Sequence, residues 1–289
     1  MKIEKLLIKN SGWTWDRLRE ARKLGYQIGE ESVTDFVILN LKKYGAGKLQ
    51  VNSFTRHEEA INGADWEWWL TGPSGSWIGM RIQAKIINLQ SEKFEHLHHT
   101  NKHGTQLDQL IKDASRNCLV PLYCMYSNWD PQKYKTPKNC PADKNSVRHY
   151  GNSIVGIDVV KNLHKRKKKD LASIIRYLIP MHCIFCCKDY RTKGDLPVRA
   201  FEFMKSEGFT RMYENQNVSL EKILLKKRVP GYVRYLSKTK SPNLENYINE
   251  NVVEEHELNF ADDLRLKRVT IIKELIQDKE KTFKYTNGK

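Results

Sequence analysis

Residues 63–70 read GADWEWWL and residues 77–86 read WIGMRIQAKI, and these two segments decide the fold. Both are rich in the aromatic and β-branched residues that favour strands. The residues between them, TGPSGS over 71–76, have the glycine, proline and serine content of a turn. Two strands joined by such a turn form a β-hairpin, so the sequence predicts strands over 64–70 and 77–87 that pair with each other.

One face of this hairpin carries polar residues that the strand periodicity brings together. Side chains alternate between the two faces of a strand, so Gln83 and Lys85 share one face of the second strand while its apolar residues share the other. In the first strand, Asp65 and Glu67 lie on a common face in the same way. Pairing in register therefore places Asp65 beside Gln83 and Lys85, where a carboxylate, an amide and an ammonium group converge.

These three groups suit the hydrolysis of a phosphodiester bond. Asp65 and Gln83 offer hard oxygen ligands for Mg²⁺, a cation that keeps several waters and also binds substrate phosphate. A bound metal ion lowers the pKa of its water and stabilises charge on the phosphate. Lys85 can position that water and stabilise the developing negative charge. A further carboxylate from the helix predicted over 30–44 could complete the metal shell.

The segments around the hairpin predict an α/β protein whose core has the order α-β-β-β-α-β. Ser32 and Asp35 resemble a capping box at the start of the first core helix. The predicted elements are a helix over 13–26, a helix over 30–44, strands over 49–55, 64–70 and 77–87, a helix over 105–117 and a buried strand over 119–126. Beyond this core, the patterns indicate a loop over 128–150 and helices over 153–178 and 261–281.

The charge balance predicts a polyanionic partner. The 289 residues include 50 Lys and Arg against 34 Asp and Glu, a formal net charge of +16. Such an excess is typical of nucleic-acid-binding proteins. No apolar run approaches the roughly 20 residues that a membrane span needs, and the first residues do not resemble a signal peptide. We therefore expect a cytoplasmic protein with reduced thiols and no membrane partner.

Asp65 and, one hairpin later, Gln83-x-Lys85, set in this element order, resemble the PD-(D/E)xK nuclease superfamily. The Gln-x-Lys form is similar to that of Mrr-type restriction endonucleases, and the resemblance covers about residues 30–127. It implies a restriction-endonuclease-like core with a mixed sheet and a Mg²⁺- or Mn²⁺-dependent endonuclease. The residues that it implies for the site are Glu31 (or Glu30), Asp65, Gln83 and Lys85.

Two residues depart from the motif of that superfamily. Ala64 takes the place of the motif's proline, which is a common variation. Gln83 takes the place of an acidic ligand, so one charge of the metal ion is left uncompensated, and Glu67 or Glu59 could supply it.

A second resemblance concerns the biological setting. Residues 30–35 (EESVTD), together with Glu58-Glu59 and residues 63–69, resemble an uncharacterised bacterial family found among defence genes. This resemblance implies activity against phage or foreign DNA, so DNA is the expected substrate ahead of RNA. A homodimer or a partner protein of a defence system is expected with it, since many nucleases pair to cut both strands.

Further residues are candidates for contacts with nucleic acid. Gln106 and Gln109 lie on one side of the helix after the Lys85 strand, where they could contact the scissile phosphate or the DNA backbone. The basic run over 164–169 either contacts phosphate or forms a solvated helix face. The residues of that run proposed for phosphate contact are Lys165, Arg166 and Lys167.

A cysteine-rich segment has the spacing of metal ligands. Cys183-x-x-Cys186 follows His182 directly, but a structural zinc site needs a further pair of ligands. Cys140 and His149 could supply that pair, although their spacing matches no familiar zinc motif. The sequence alone favours buried cysteines that act as small apolar residues.

The chain divides into four predicted regions: an N-terminal helical segment over 1–29, a nuclease-like core over 30–127, an extension of the core over 128–190, and a basic, mainly helical C-terminal region over 191–289. Three other functions stay open at this point. The first is a non-catalytic nucleic-acid-binding protein on a degenerate nuclease fold, which Gln83 favours. The second is an RNA-cleaving enzyme, and the third is a zinc-stabilised regulatory protein.

Overall fold

The computed structural model describes residues 3–45, 49–55, 64–101, 104–139, 146–186, 194–238 and 268–275. Its helices are α1 (Ile3–Lys23), α2 (Glu30–Gly45), α3 (Gln106–Arg116), α4 (Ile157–Lys165), α5 (Leu171–Ile174), α6 (Cys183–Cys186), α7 (Leu196–Ser206), α8 (Leu220–Leu224) and α9 (Gly231–Lys238). Its strands are β1 (Leu49–Thr55), β2 (Trp66–Thr71), β3 (Trp77–Ile86), β4 (Thr100–Asn101), β5 (Gly104–Thr105), β6 (Val120–Tyr126), β7 (Asn152–Gly156), β8 (Ile179–Pro180) and β9 (Arg268–Glu274). Short 3₁₀ helices span Val147–Gly151, Ile175–Tyr177 and Arg211–Tyr213.

A seven-stranded mixed sheet in the order β1-β9-β2-β3-β6-β7-β8 forms the centre of the protein. The pairs β9 with β2 and β3 with β6 are parallel, and the other neighbours are antiparallel. The elements α2, β1, β2, β3, α3 and β6 come in this order along the chain, with the two-residue strands β4 and β5, which form a separate ribbon, between β3 and α3. The predicted α/β class and the α-β-β-β-α-β order are therefore confirmed.

The hairpin of β2 and β3 has the predicted pairing. Glu67 lies opposite Arg81, and the register continues to Thr71 opposite Trp77 across the turn. The amide of Asp65 donates to the carbonyl oxygen of Ile82 at 2.9 Å, so the pairing extends one residue beyond β2. This register fixes which polar side chains meet at the open end of the hairpin.

The C-terminal region contains a strand where a helix was predicted. Residues 268–274 form β9, which lies between β1 and β2, and its residues 268–272 are buried. These residues read RVTIIKE, and a run this short, within a charged segment, does not distinguish a strand from one turn of a charged helix. The prediction of a helix over 261–281 is wrong at these residues, and the C-terminal region shares the sheet of the core.

A similar correction applies to residues 152–156. They form the buried strand β7, and helix α4 begins only at Ile157. The predicted helix over 153–178 is therefore wrong over its first residues, because Ile154 and Val155 occupy a strand buried on both faces. Helix α1, in turn, begins ten residues before the predicted start at Trp13, since Leu6 and Leu7 extend its buried face.

Helices cover both faces of the sheet. On one face, Thr34 of α2 shares a 2.9 Å hydrogen bond with the hydroxyl of Tyr126, a residue of β6 that pairs with Ile86 of β3. On the other face, α3 and α9 bring Asp113 and Tyr232 to the polar side of the hairpin. This cover explains why β2 is buried at every residue. Among the helices of the described ranges, none has the length and apolar content to span a membrane.

The close approach of α1 to the 3₁₀ helix Val147–Gly151 supports a stability prediction. A Cβ atom added at Gly151 would lie 2.7 Å from the backbone nitrogen of Trp15 and still closer to the carbonyl oxygen of Ser11. Backbone atoms inside a helix cannot move away without disrupting it. We expect Gly151→Ala to lower the free energy of unfolding by about 3 kcal/mol, measured by urea denaturation.

Gly12, which lies on α1, provides the matched control. A Cβ atom there would meet only the side chain of Arg148, at 3.6 Å or more. Alanine is the better helix former, so Gly12→Ala should leave stability unchanged or raise it by up to about 1 kcal/mol. Equal effects of the two substitutions would contradict the described packing.

Candidate active site

A cleft of about 460 Å³ opens where the C-terminal end of β3 meets the N-terminus of α2. Its lining includes carboxylates, amides and one lysine from four separate elements or their flanks. The residues that matter for its chemistry are Glu30, Glu31, Asp65, Gln83, Lys85 and Gln106. The structure therefore brings together the residues that the hairpin pattern and the superfamily resemblance had singled out.

Asp65 and Gln83 are in direct contact at the floor of this cleft. The Nε2 atom of Gln83 donates a hydrogen bond to Oδ2 of Asp65, and the amide of Ala84 donates to the same oxygen at 2.8 Å. The side chain of Gln83 is buried, at 1% exposure. Its Oε1 atom accepts no hydrogen bond from the part of the chain that the structure describes.

This unpartnered oxygen bears on metal binding. A glutamine amide has an oxygen and a nitrogen of nearly equal size, and rotation by 180° exchanges them. The exchange gives up the hydrogen bonds that Nε2 donates to Asp65 and, at 3.1 Å, to the carbonyl oxygen of Ala84, and it points Oε1 of Gln83 and Oδ2 of Asp65 at the same place. Two converging oxygens are a donor set that hard cations such as Mg²⁺ and Mn²⁺ prefer.

Lys85 is held at the cleft by Glu30. The Oε2 atom of Glu30 accepts from the amide of Ile86 at 2.9 Å, and its Oε1 atom lies 3.9 Å from Nζ of Lys85. Lys85 is only 3% exposed, and its side chain lines the cleft. Glu31 also lines the cleft and is exposed, while Glu30 is the residue hydrogen-bonded to β3. Both carboxylates named in the sequence analysis therefore lie at the cleft, and Glu30 is the one in contact with Lys85.

Arg268 is a charged neighbour of this site that sequence reasoning missed. It begins β9, and its Nε donates to Oδ1 of Asp35 at 2.7 Å. Burial works to lower the pKa of its guanidinium, but the hydrogen bond to Asp35 and the charges of Glu31 and Asp65 raise that pKa above its ordinary value. Arg268 is therefore a fixed positive charge close to the carboxylates. The local sequence predicts a helix over 261–281, and a residue of such a helix is not expected in the sheet. The local sequence therefore gave no signal that Arg268 lies at this site.

Glu67 does not reach the cleft, which corrects its assignment as a metal ligand. It is fully buried, and Nε of Arg81 lies 3.1 Å from its Oε2 atom. Its Oε1 atom accepts hydrogen bonds from Nε1 of Trp69 and from the hydroxyl of Tyr232. Burial and the charge of Glu67 raise the pKa of Tyr232 well above its ordinary value, so this hydroxyl keeps its proton and donates. These contacts occupy the carboxylate.

The same arginine also contacts α3. Nε of Arg81 lies 3.0 Å from Oδ2 of Asp113, so one buried guanidinium neutralises two carboxylates. We call Glu67, Arg81 and Asp113 the buried ion cluster. It occupies the polar face of the hairpin next to the cleft and holds α3 against β3.

The two glutamines of α3 differ in position. Gln106, the first residue of α3, lines the cleft. Gln109 donates from Nε2 to the carbonyl oxygen of Gly104 at 3.4 Å and is not among the described residues that line the cleft. Glu59, the other carboxylate considered for the metal, lies outside the described residues.

The basic run lies on a turn that is attached to one wall of the cleft. Residues 165–168 are exposed, at the end of α4. Lys169 forms an ion pair with Glu95, a residue of the cleft lining, at 2.5 Å. The ring of His164 contacts that of His98 with centroids 4.9 Å apart. We call residues 165–168 the basic turn. The predicted phosphate contacts in it are Lys165, Arg166 and Lys167.

The predicted zinc ligands form a separate cluster. His182, Cys183 and Cys186 are all buried, and their ligand atoms lie within 4.8 Å of one another. None of the three belongs to the described lining of the cleft. Cys140 and Cys187 lie outside the described residues.

Comparison with known proteins gives a family and no function. Neither the curated proteins nor the solved structures gave a significant match to this chain. A model of a family of unknown function, DUF6615, matches residues 3–278. That range contains the cleft, the buried ion cluster and the His182 cluster. The chain therefore belongs to the DUF6615 family.

Proposed function

We propose that this protein is a metal-dependent nuclease that hydrolyses phosphodiester bonds of DNA in the cleft between β3 and α2. The observation that carries the proposal is the convergence of Asp65, Gln83, Lys85 and Glu30 on one open cleft. Two carboxylates, an amide and an ammonium group are the side chains that such a reaction needs in one place.

The donor set fits one divalent cation, Mg²⁺ or Mn²⁺. Asp65, Gln83 through Oε1 after the exchange of its amide atoms, and Glu30 or Glu31 would hold it, because that exchange places two oxygens side by side. When bound, the cation would stabilise negative charge on the phosphate and lower the pKa of a water.

The side chains of the chain itself account for positioning and charge. Glu30 holds the Lys85 ammonium at the cleft, where it can donate hydrogen bonds to a phosphate oxygen or to the attacking water. That water forms the new bond to phosphorus while the bond to one sugar oxygen breaks, and the sugar oxygen takes up a proton. Gln106 at the start of α3 can donate to the phosphate from the opposite wall.

The charge distribution supports nucleic acid as the substrate. The chain carries a net charge of +16, and the basic turn is tied to the cleft wall through Lys169 and Glu95. A polyanion that follows the basic turn would therefore run toward Lys85. The same proposal includes DNA as the substrate, a defence role against phage or foreign DNA, and a location in the cytoplasm. It also includes a homodimer or a partner protein of a defence system. They rest on the resemblances of the sequence.

The test is a cleavage assay with the purified full chain. Supercoiled plasmid, single-stranded DNA and RNA are each incubated with Mg²⁺, Mn²⁺ or a chelator. We expect nicked or linear plasmid with the metal ions and none with the chelator. Cleavage of RNA alone would replace DNA as the substrate, and cleavage that persists in chelator would contradict the metal requirement.

A non-catalytic nucleic-acid-binding protein is the second candidate function. It is favoured by the contact of Gln83 Nε2 with Asp65, which satisfies the carboxylate without a cation. Salt-dependent DNA binding without cleavage under any of these conditions would support it over the nuclease.

The basic turn allows a separate prediction about DNA binding. We expect the triple variant Lys165→Ala/Arg166→Ala/Lys167→Ala to bind DNA more weakly, because it loses up to three phosphate contacts. Each lost contact should reduce the slope of log Kd against log salt by about 0.9. The measurement is fluorescence anisotropy with a labelled duplex between low and moderate salt.

Lys42 and Lys43 provide the matched control for charge. They lie at the end of α2 opposite the cleft, and about 20 Å of helix separates them from Glu30. The variant Lys42→Ala/Lys43→Ala should keep the parental salt slope. An unchanged slope in the triple variant would remove the basic turn from the proposed path of the substrate.

A further inference from the structure

We propose that His182, Cys183, Cys186 and His149 bind one structural Zn²⁺ ion. The first three residues already form a compact group, with one ligand atom of each lying within 4.8 Å of the others. This site is separate from the cleft, so the zinc proposal does not depend on the proposed nuclease activity.

The local fold presents the two thiols on the same side. Cys183 and Cys186 are the first and last residues of α6, a single helical turn. Residues three apart on a helix are neighbours on its surface, so a Cys-x-x-Cys turn directs both Sγ atoms to one point. His182 directly precedes this turn, and its carbonyl oxygen accepts from the amide of Phe185 at 3.0 Å.

His149, from a distant part of the chain, packs its ring against that of His182, but its ring nitrogens do not lie within 4.8 Å of all three ligand atoms of the group. Its ring centroid lies 5.2 Å from that of His182, with the rings inclined by 80°. His149 belongs to the 3₁₀ helix Val147–Gly151, which precedes β7 in the sheet. In the proposed site, a rotation of the His149 side chain supplies the fourth ligand from this neighbouring element.

The chemistry of the ligands selects zinc. Two thiolates and two imidazoles are the Cys₂His₂ set of structural zinc sites, whereas Mg²⁺ and Mn²⁺ prefer oxygen. Two thiolates carry the charge that neutralises Zn²⁺, so the complex as a whole is neutral. Neutrality matters because His182 and Cys183 are 1% exposed and Cys186 is 4% exposed, and an uncompensated charge at such depth is costly.

Burial also defines the role of the ion. A catalytic zinc keeps an open position for water, while four protein ligands in a closed environment make a structural site. The ion would join α6, which packs on α1 and α7, to the 3₁₀ helix that leads into β7. It would thereby fasten the β7–β8 edge of the sheet to the helices around it. The proposal is the alternative to buried cysteines that act as small apolar residues, and the metal analysis below decides between the two.

Metal analysis of the purified full chain tests the proposal. We expect about one equivalent of zinc by mass spectrometry of the metal, and its loss in Cys183→Ser/Cys186→Ser. Cys118→Ser, a substitution of a free cysteine outside the cluster, is the matched control and should keep the zinc. Zinc that is absent from the parent protein and is not taken up on addition would overturn the proposal, as would a Cys183–Cys186 disulfide.

A second measurement keeps the proposal testable if the double variant fails to fold. Cobalt(II) exchanged into the parent protein should give a thiolate-to-cobalt charge-transfer band and the visible absorption of tetrahedral cobalt. Absence of the charge-transfer band would exclude thiolate ligands. His149→Ala should weaken zinc retention against a competing chelator at least tenfold, and unchanged retention would remove His149 from the ligand set.

Discussion

Replacing Lys85 by methionine is expected to lower the rate of metal-dependent plasmid cleavage by about 10²–10³-fold, the cost of removing one positioned donor from a site that stabilises developing charge. Methionine keeps most of the volume of the buried lysine stem and removes only the ammonium group, so packing at the cleft floor is preserved. The measurement is the initial rate of plasmid nicking at saturating Mg²⁺.

Asp65→Asn tests the other half of the same site. Asparagine keeps the shape of the side chain and can still accept from the amide of Ala84, but it loses the charge that would bind a cation. We expect cleavage to fall by a similar factor and to recover in part when the Mg²⁺ concentration is raised. Recovery of this kind is not expected for Lys85→Met, because that residue is not a metal ligand.

Two controls separate loss of chemistry from loss of fold. Lys112→Met and Asp130→Asn change the same residue types at exposed positions and should cut at the parental rate. The zinc content of Lys85→Met and Asp65→Asn should equal that of the parent, since the His182 cluster lies outside the cleft. A Lys85→Met protein that cuts plasmid as fast as the parent would show that this cleft is not the site of cleavage.

The hairpin and its polar face were predictable because strand periodicity is a local property. One turn separates Asp65 from the strand that carries Gln83 and Lys85. The period of two along each strand fixes the face of each residue without any knowledge of the rest of the fold. The same rule put Glu67 on that face. Its partner Arg81 is in the same segment, and an arginine directly opposite a carboxylate indicates an ion pair before it indicates a metal ligand.

Other features could not be predicted because they depend on contacts between distant segments. β9 pairs with β1 and β2, which lie about 200 residues earlier in the chain, and its sequence alone does not distinguish a doubly buried strand from a helix. The position of Arg268 next to the site was therefore not predicted. His149 is a partial case: the sequence names it as a possible zinc ligand, but only the packing of the 3₁₀ helix before β7 places it beside His182.

Arg81→Met is expected to lower the free energy of unfolding by about 3–5 kcal/mol, because it leaves the carboxylates of Glu67 and Asp113 next to each other without their cation. Arg81 is 2% exposed and Glu67 fully buried, so water cannot replace the partner that Glu67 loses, while Asp113, at 15% exposure, can be partly hydrated. Denaturation in urea, monitored by tryptophan fluorescence, measures the change. The exposed pair of Arg17 and Glu20 provides the control, and Arg17→Met should cost less than about 1 kcal/mol.

A double variant shows whether charge or packing is responsible. In Arg81→Met/Glu67→Gln the buried carboxylate is neutral, and Tyr232 and Trp69 can still donate to the amide oxygen. If an unpaired charge causes the destabilisation, the double variant should be more stable than Arg81→Met alone. A double variant that is as unstable as the sum of the two single variants would instead assign the role of Arg81 to packing of its long side chain between β3 and α3.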